Sequence, residues 1–292
     1  MTVYMNLERV RRSACVGARF SIVIPSWNNL PYLQLCVRSI RTNSALPHQL
    51  IIHVNDGSDG TLEWVRSQVD LDYSYSATNV GVCHALNSCR MLVSTPFLLY
   101  MNDDMYACPG WDVALSDAVD AAGDDLFFLS ATSIEARAQS RCMIESDFGT
   151  DPDTFDEARL LREFAELPHR DWQGATWPPN VVSVRLWDAV GGYSNEFSPG
   201  MYSDPDFSMK LWQQGVRLFR GVSASRVYHF GSKSVSRIRK NPGHSTFLKK
   251  WAMTSSTLSK YYLRRGDLFD GPLDEPIIPF AVRIRNAIRR RL

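Results

Sequence analysis

No part of this sequence is apolar for the roughly 20 residues that a membrane-spanning helix needs. The N-terminal residues contain arginines but lack the apolar core of a signal peptide. Neither sign of charge is in excess, because 32 lysines and arginines balance 31 aspartates and glutamates among 292 residues. That balance argues against a general nucleic-acid-binding protein, whose surface needs surplus positive charge. We expect a cytoplasmic protein, either soluble or peripheral on the inner face of the membrane.

Common zinc and phosphate motifs are also missing. The six cysteines never occur as C-x-x-C, and no pair of histidines has zinc-finger spacing. We therefore expect the cysteines to be small buried side chains in a reducing compartment. The Gly-rich loop at 55–61 lacks the G-K-[ST] of a P-loop and the G-x-G-x-x-G of a dinucleotide fingerprint.

Alternating strand and helix patterns occupy the first 105 residues. Apolar runs predict strands at 20–24, 50–54, 73–77 and 97–101, with amphipathic helices between them. In the second of these helices, Leu62, Val65 and Val69 are expected on one face. The alternation predicts an α/β fold with a mostly parallel sheet.

The rest of the chain is less regular. We expect a buried strand at 126–131 and an irregular segment at 132–175 with a helical patch near 156–166. A strand and helix over 181–193, a helix at 203–214, two strands within 216–229 and a basic helical extension complete the prediction.

The first four predicted strands end in polar loops. These loops contain residues 25–27, Asp56, Asn79 and residues 103–104. In parallel sheets, ligands bind beyond the carboxyl ends of the strands. Four polar loops at four strand ends therefore predict a binding site at one edge of the sheet.

Asp103 and Asp104 suit a metal ion. Two adjacent carboxylates repel each other unless a cation lies beside them. Mg²⁺ or Mn²⁺, with oxygen ligands, would relieve this repulsion, and a sugar-nucleotide diphosphate would complete the coordination. The alternative is a solvated turn, because Asn and Asp favour turns.

Asp56 is the candidate ligand-binding residue of the Gly-rich loop. A carboxylate at the end of a strand can accept hydrogen bonds from a nucleobase. Ser58 or Asp59 can instead cap the helix that follows. The two interpretations are compatible, because different residues carry them.

Asp204 and Asp206 begin a predicted helix. Capping is the ordinary role of Asp at this position, but either carboxylate also suits a general base. The helix N-terminus would favour the ionised form of Asp204. His229 closes a predicted strand, where its imidazole is either a structural hydrogen-bonding group or a metal ligand.

Taken in order, these segments resemble the family 2 glycosyltransferases of the GT-A fold. The matching segments are I-V-I-P-S-W-N at 22–28, V-N-D-G-S-D-G-T at 54–61, N-V-G at 79–81 with Ala85 and Asn87, N-D-D at 102–104, V-G-G-Y-S-N-E-F at 190–197 and S-D-P-D-F at 203–207. Two positions depart from the family pattern. Asn102 stands at the first position of the D-x-D motif, and Ser203 stands where Glu is usual before the base. The second departure leaves open whether Asp204 or Asp206 is the base.

The resemblance implies roles for individual residues. A nucleotide-diphosphate sugar would be the donor, and Mn²⁺ or Mg²⁺ the cofactor. Asp56 would bind the nucleobase, Pro25 and Ser26 would line its pocket, Asn79 and Gly81 would lie against the nucleoside, and Asp103 would contact ribose or sugar hydroxyls. Asp104 would ligate the metal, with His229 as a further ligand, and Asp204 would be the catalytic base.

The expected function is inverting transfer of a sugar, of the hexosyltransferase type, to a hydroxyl acceptor. The acceptor would be a glycan or a lipid-linked glycan in bacterial surface polysaccharide assembly. Residues 18–130 would form the nucleotide-sugar-binding half, 131–245 the acceptor-binding and catalytic half, and 246–292 a helical C-terminal extension. A non-catalytic nucleotide-sugar or glycan-binding protein remains an alternative, as does a sugar-nucleotide pyrophosphorylase.

The C-terminal residues predict an amphipathic basic helix. Phe280, Ile284, Ala287 and Ile288 share one helical face, and most of the neighbouring arginines lie off it. Such a helix either lies on an anionic membrane surface or packs on the domain with solvated arginines. Both alternatives remain open at the level of the sequence.

Overall fold

A computed structural model describes residues 7–12, 16–231 and 241–291. The strands are β1 Glu8–Val10, β2 Ser21–Trp27, β3 Gln49–Asn55, β4 Leu71–Ser76, β5 Phe97–Tyr100, β6 Met105–Ala107, β7 Phe127–Glu135, β8 Met143–Glu145, β9 Trp172–Gln173, β10 Asn180–Ser183 and β11 Leu218–His229. The helices are α1 Leu30–Asn43, α2 Thr61–Ser67, α3 Gly81–Cys89, α4 Trp111–Ala122, α5 Glu157–Glu163, α6 Val184–Val190, α7 Ser203–Gln213, α8 Gly243–Trp251, α9 Ser255–Thr257 and α10 Phe280–Arg291.

One sheet runs through the described residues. Its order is β1-β4-β3-β2-β5-β10-β7-β11-β6, with β8 beside β7 and β9 beside β11. The four strands predicted from the first 105 residues, β4-β3-β2-β5, are all parallel. Their carboxyl ends therefore lie at one edge, as predicted. The mostly parallel α/β fold is confirmed.

The second half of the sheet differs from the prediction. β10 lies antiparallel between β5 and β7, and β11 runs parallel to β7. Two strands were expected within 216–229, but β11 is one strand whose register shifts between Val222 and Arg226. A bulge of this kind breaks the pairing locally without ending the strand. β7 also continues to Glu135, past the expected end at 131, because its last residues pair with β8 and β11.

Helix α2 is shorter than its apolar spacing suggested. It ends at Ser67, and Val69, expected on the buried face, is 85% exposed. The turn before β4 takes the chain away from the core before Val69 is reached. The helix predicted between the strands at 73–77 and 97–101 is α3, followed by a 3₁₀ turn at Arg90–Leu92.

Apolar cores cover both faces of the sheet. One includes residues of α1, α2 and α4, and the other residues of α3, α6, α7 and α8. The cysteines of the described ranges, Cys36, Cys83, Cys89, Cys108 and Cys142, are buried free thiols, as expected, and Cys15 lies outside those ranges. No helix of the described chain is both long and apolar enough to cross a membrane.

Candidate functional site

A cleft of about 1440 Å³ opens beyond the carboxyl ends of the parallel strands. Its wall also includes the start of α7 and the end of β11. Eight of the nine predicted site residues line it: Pro25, Ser26, Asn79, Gly81, Asp103, Asp104, Asp204 and His229. The first and last of these residues, Pro25 and His229, are 204 positions apart in the sequence and line the same cleft.

Asp56 is the exception. It lies outside the cleft lining of the described residues, and its neighbour Asn55 takes the place in the wall. The backbone of Asp56 is left-handed, with φ 66°, and its Oδ2 accepts a hydrogen bond from Asn28 Nδ2 at 3.0 Å. Its contact with a nucleobase stays a prediction. Asp59 is not the N-cap of α2, which is Gly60, but its carboxylate accepts from the backbone N–H groups of Thr61 and Leu30.

The Asn79–Gly81 turn joins the two sides of the cleft. Asn79 Oδ1 accepts from the Gly81 N–H at 2.8 Å, and the next N–H, from Val82, bonds the carbonyl of Pro199 at 2.9 Å. Gly81 has φ +77°, and a Cβ there would lie 2.6 Å from Pro199 Cα. Only glycine combines that backbone angle with so close an approach.

His229 is held between two carboxylates. Pairing of β6 with β11 places His229 opposite Met105, so that His229 Nε2 lies 3.4 Å from Asp104 Oδ1. Pairing of β7 with β11 brings Glu135 to the other side, and His229 Nδ1 lies 2.7 Å from Glu135 Oε1. Burial opposes a charge on the imidazole, but Asp104 and Glu135 outweigh it and raise the pKa of His229 to about 10. This part of the cleft therefore attracts cations.

The donor set fits a divalent cation. Asp104 offers a carboxylate on one wall, and Asp103 lines the same cleft. His229 is protonated near neutral pH, because its pKa is raised to about 10, and its nitrogen can ligate a cation only when the cation displaces that proton. Metal-bound histidines commonly hold their second ring nitrogen on a carboxylate, which is the place of Glu135 here. Within the described ranges, no group of three or more His, Cys, Asp or Glu side chains is placed to hold a metal ion by itself. Mg²⁺ and Mn²⁺ sites in nucleotide-using enzymes take one or two protein ligands together with substrate phosphates, so a partial set suffices.

Asp204 faces the cleft from the start of α7. Burial raises the pKa of Asp204 to about 7, partly offset by a hydrogen bond from Tyr193 and by the charge of Arg265. The helix N-terminus was expected to keep this carboxyl strongly ionised, and burial outweighs that effect. A carboxylate with a pKa near neutrality is a better proton acceptor than an ordinary aspartate.

Tyr193 positions Asp204 and was missed by the sequence analysis. Its hydroxyl donates to Asp204 Oδ1 at 3.2 Å, and its ring stacks on Phe207 of α7 with centroids 4.5 Å apart. Asn87 of α3 holds the Tyr193 backbone through two hydrogen bonds of 2.7 and 2.9 Å. The presence of Asn87 and Tyr193 in two of the matching family segments was the available signal, but only the fold shows them in contact.

Asp206 points away from the cleft. Its side chain is fully buried, accepts from Trp251 Nε1 at 2.8 Å and pairs with Lys250 Nζ at 2.8 Å. It therefore ties α7 to α8, a different role from the capping or general-base roles considered above. Of the two candidate bases, Asp204 alone lines the cleft.

Three tryptophans line the cleft. Trp27, Trp172 and Trp177 contribute to its wall, and the Arg265 guanidinium lies 4.2 Å from the Trp177 ring centroid. Trp187 instead lies in the core against Tyr193 and Phe207.

Part of the chain matches a known family model. Residues 21–141 match the family model described as glycosyl transferase family 2. That region contains the strand ends with Pro25, Ser26, Asn79, Asp103 and Asp104. No curated protein sequence matches the chain.

Solved structures share the fold at low identity. TarS residues 1–349 from S. aureus align with a TM-score of 0.57 and 14% identity over 94% of this chain and 70% of that one. GalNAc-T7, in complex with UDP, GalNAc and Mn²⁺, aligns with a TM-score of 0.55 and 14% identity over 79% and 48%. Mannosyltransferase PcManGT from Pyrobaculum calidifontis, in complex with GDP-Man and Mn²⁺, aligns with a TM-score of 0.54 and 15% identity over 95% and 71%.

Proposed function

Because residues 21–141 match glycosyl transferase family 2 and the fold is GT-A, we propose that this chain is a metal-dependent, inverting glycosyltransferase. The family match and the fold support a glycosyltransferase that uses a nucleotide sugar. One observation carries the rest of the proposal: the Asp104–His229 pair and Asp204 face the same cleft. A cation site and a carboxylate with a pKa near 7 are the two groups that sugar transfer needs.

The donor would lie along the edge formed by β2, β3 and β4. Pro25, Ser26, Asn79 and Gly81 line the part of the cleft expected to hold the nucleoside, and Asp103 lies where sugar or ribose hydroxyls would bind. Asp104 and His229 would hold Mn²⁺ or Mg²⁺. When bound, the ion would stabilise the negative charge that develops on the departing diphosphate.

Asp204 would take the proton from the acceptor hydroxyl. With a pKa of about 7, Asp204 is partly ionised near pH 7 and its ionised form is a stronger base than an ordinary aspartate, and Tyr193 fixes its orientation. The hydroxyl oxygen would form a bond to the anomeric carbon as the bond to the diphosphate breaks, and its proton would pass to Asp204. Direct displacement of this kind inverts the configuration at the anomeric carbon.

The acceptor side would consist of the later elements. We propose that residues 18–130 bind the nucleotide sugar, that 131–245 bind the acceptor and carry the base, and that 246–292 form an extension. The transferred group would be a hexose, and the acceptor a glycan or lipid-linked glycan of a bacterial surface polysaccharide. The reaction would take place in the cytoplasm.

The competing functions fit the site less well. A pyrophosphorylase would need a Gly-rich loop after its first strand, where this chain has Pro25, Ser26 and Trp27. A non-catalytic binding protein would not need Asp204, a half-buried carboxyl group in the cleft whose pKa is raised to about 7. Asp104 and Asp204 are both present and both face the cleft.

A panel of nucleotide sugars with Mn²⁺ tests the proposal. Release of nucleotide, accelerated by a glycan acceptor, is the expected result for at least one donor. NMR of the product would give the anomeric configuration, and retention would contradict direct displacement. Donor binding without turnover for every sugar and acceptor tried would favour the binding-protein alternative.

A further inference from the structure

Helix α10 presents its apolar face to solvent. It packs against α8 and is anchored by Asn286, which is 6% exposed and whose Nδ2 donates to Thr257 Oγ1 at 3.1 Å. On the opposite side, Phe280, Ile284 and Ile288 are 69%, 43% and 56% exposed. The helix therefore docks on the domain through a polar contact and leaves its apolar stripe uncovered.

This stripe stands out among the apolar surface residues. Ten large apolar side chains are exposed in the described ranges, and four of them, Ile277, Phe280, Ile284 and Ile288, lie within twelve residues. The other six lie in six separate segments. Isolated exposed apolar residues are normal, but a contiguous group marks an interaction surface.

The charge beside the stripe has one sign. Arg283, Arg285, Arg289 and Arg290 are exposed on α10, and no acidic residue occurs between 276 and 292. An apolar stripe flanked by arginines matches an anionic lipid surface, where the apolar side chains enter the boundary of the acyl chains and the arginines stay with the head groups. A second copy docked on the same face would bring like charges together.

We propose that α10 docks the protein on an anionic membrane surface. The apolar side chains of the stripe would then contact the lipid head-group layer. This inference extends the proposed function, since it places the cleft beside a lipid-linked acceptor. Thr257, which bonds Asn286, belongs to α9, whose Ser255 and Ser256 line the cleft. One short turn therefore separates the docking helix from the acceptor side of the site.

Vesicle co-sedimentation of the intact chain tests the docking. We expect binding to vesicles that contain phosphatidylglycerol, little binding to pure phosphatidylcholine, and loss of binding at high salt. The variant F280S/I284S/I288S should lower the affinity by at least tenfold. Each Arg→Gln change at 283, 285, 289 or 290 should lower it by about fivefold.

A matched control uses exposed apolar residues elsewhere. The variant V69S/L161S removes two exposed apolar side chains outside α10 and should bind vesicles as the unchanged protein does. Nucleotide release with a soluble acceptor should be the same for all variants, so that a failure of docking and a failure of the transferase proposal remain separate results. Absence of binding to anionic vesicles, or equal binding by the α10 triple variant, would overturn the inference. Concentration-dependent dimerisation that the triple variant abolishes would instead assign the stripe to a second copy.

Discussion

The two sides of the cleft differ in how far apart in the sequence their contacting residues lie. On the nucleotide edge, the ends of β2 to β4, side chains of neighbouring loops bond each other, as when Asn28 bonds Asp56, and one longer contact joins the Val82 N–H to Pro199. On the reaction side, the essential contacts join distant segments. Asp204 depends on Tyr193, which Asn87 holds across 106 residues, and His229 meets Glu135 across 94.

The pKa shifts of the reaction side also depend on how its side chains are packed. On the reaction side, burial raises the pKa of Asp204 to about 7, and flanking carboxylates raise the pKa of His229 to about 10. Such shifts arise where buried ionisable groups are brought together, and they are typical of functional sites. Under the proposed function, local motifs would provide the nucleotide-binding surface, and packing of distant elements would provide the reactive groups.

The largest effect is expected from removal of the metal. Asp104→Ala removes the carboxylate that approaches His229, and EDTA removes any bound cation. Either change should abolish turnover and the metal-dependent part of donor binding, measured by calorimetry with and without Mn²⁺. Binding of the free nucleoside should persist, because the nucleotide edge is separate. Full activity in EDTA would contradict a metal-dependent reaction.

Asp204→Asn should lower turnover by about 10²- to 10⁴-fold, the usual contribution of general base catalysis. Donor binding should stay near normal, since the cation and nucleoside contacts lie elsewhere. The raised pKa adds a stability signature. Because the folded-state pKa lies above the ordinary value of 3.8, ionisation opposes folding as pH rises from about 4 to 7. The variant should therefore melt no lower than the unchanged protein at pH 8.

Asp206→Asn is the matched control for that experiment. It breaks the buried pair with Lys250 and weakens the contact with Trp251, and should cost about 1–3 kcal/mol of stability. Folded protein should keep most of its turnover. If Asp206→Asn lost turnover while Asp204→Asn kept it, the base would be assigned to the wrong carboxylate.

Glu135→Gln tests whether this side chain positions His229. Loss of the carboxylate on His229 Nδ1 should weaken Mn²⁺ binding by about 10- to 100-fold, as for other residues that orient metal ligands. Electron paramagnetic resonance of Mn²⁺, titrated with nucleotide present, measures this without turnover. Saturating Mn²⁺ should restore much of the activity. Unchanged affinity would leave Glu135 with a purely structural role.

Tyr193→Phe should have the smallest effect. The unchanged enzyme should gain activity as pH rises through about 7, since Asp204 must be ionised to act. Removing the hydroxyl takes away a hydrogen bond that lowers the Asp204 pKa, so the rising limb should move to higher pH. Turnover at pH 7 should drop severalfold and recover at pH 8.5. If the rising part of the pH–activity curve does not move, Tyr193 does not set the pKa of Asp204.

Patterns within a few residues sufficed to predict much of the nucleotide edge. Apolar runs located β2 to β5, and the polar residues after each run located the binding edge, because parallel strands place their carboxyl ends together. The same reasoning left Asp204 and Asp206 as alternatives, and only the structure shows Asp204 in the cleft wall and Asp206 buried against α8. That reasoning failed at Val69 and at the two-strand interpretation of β11, where turns and pairing partners decide the outcome.

The sequence by itself determined the strand and helix alternation, the matching family segments and the identity of the candidate carboxylates. Only the tertiary structure decided which of them meet. The pairing of β11 with β6 and β7 brings His229 between Asp104 and Glu135, and the packing of α3 on the segment before α7 brings Tyr193 to Asp204. The physical reason is the separation along the sequence between residues that contact each other. Hydrophobic periodicity depends on neighbours along the chain. The burial of an ionisable group and the groups that contact it also depend on residues as far as about a hundred positions away.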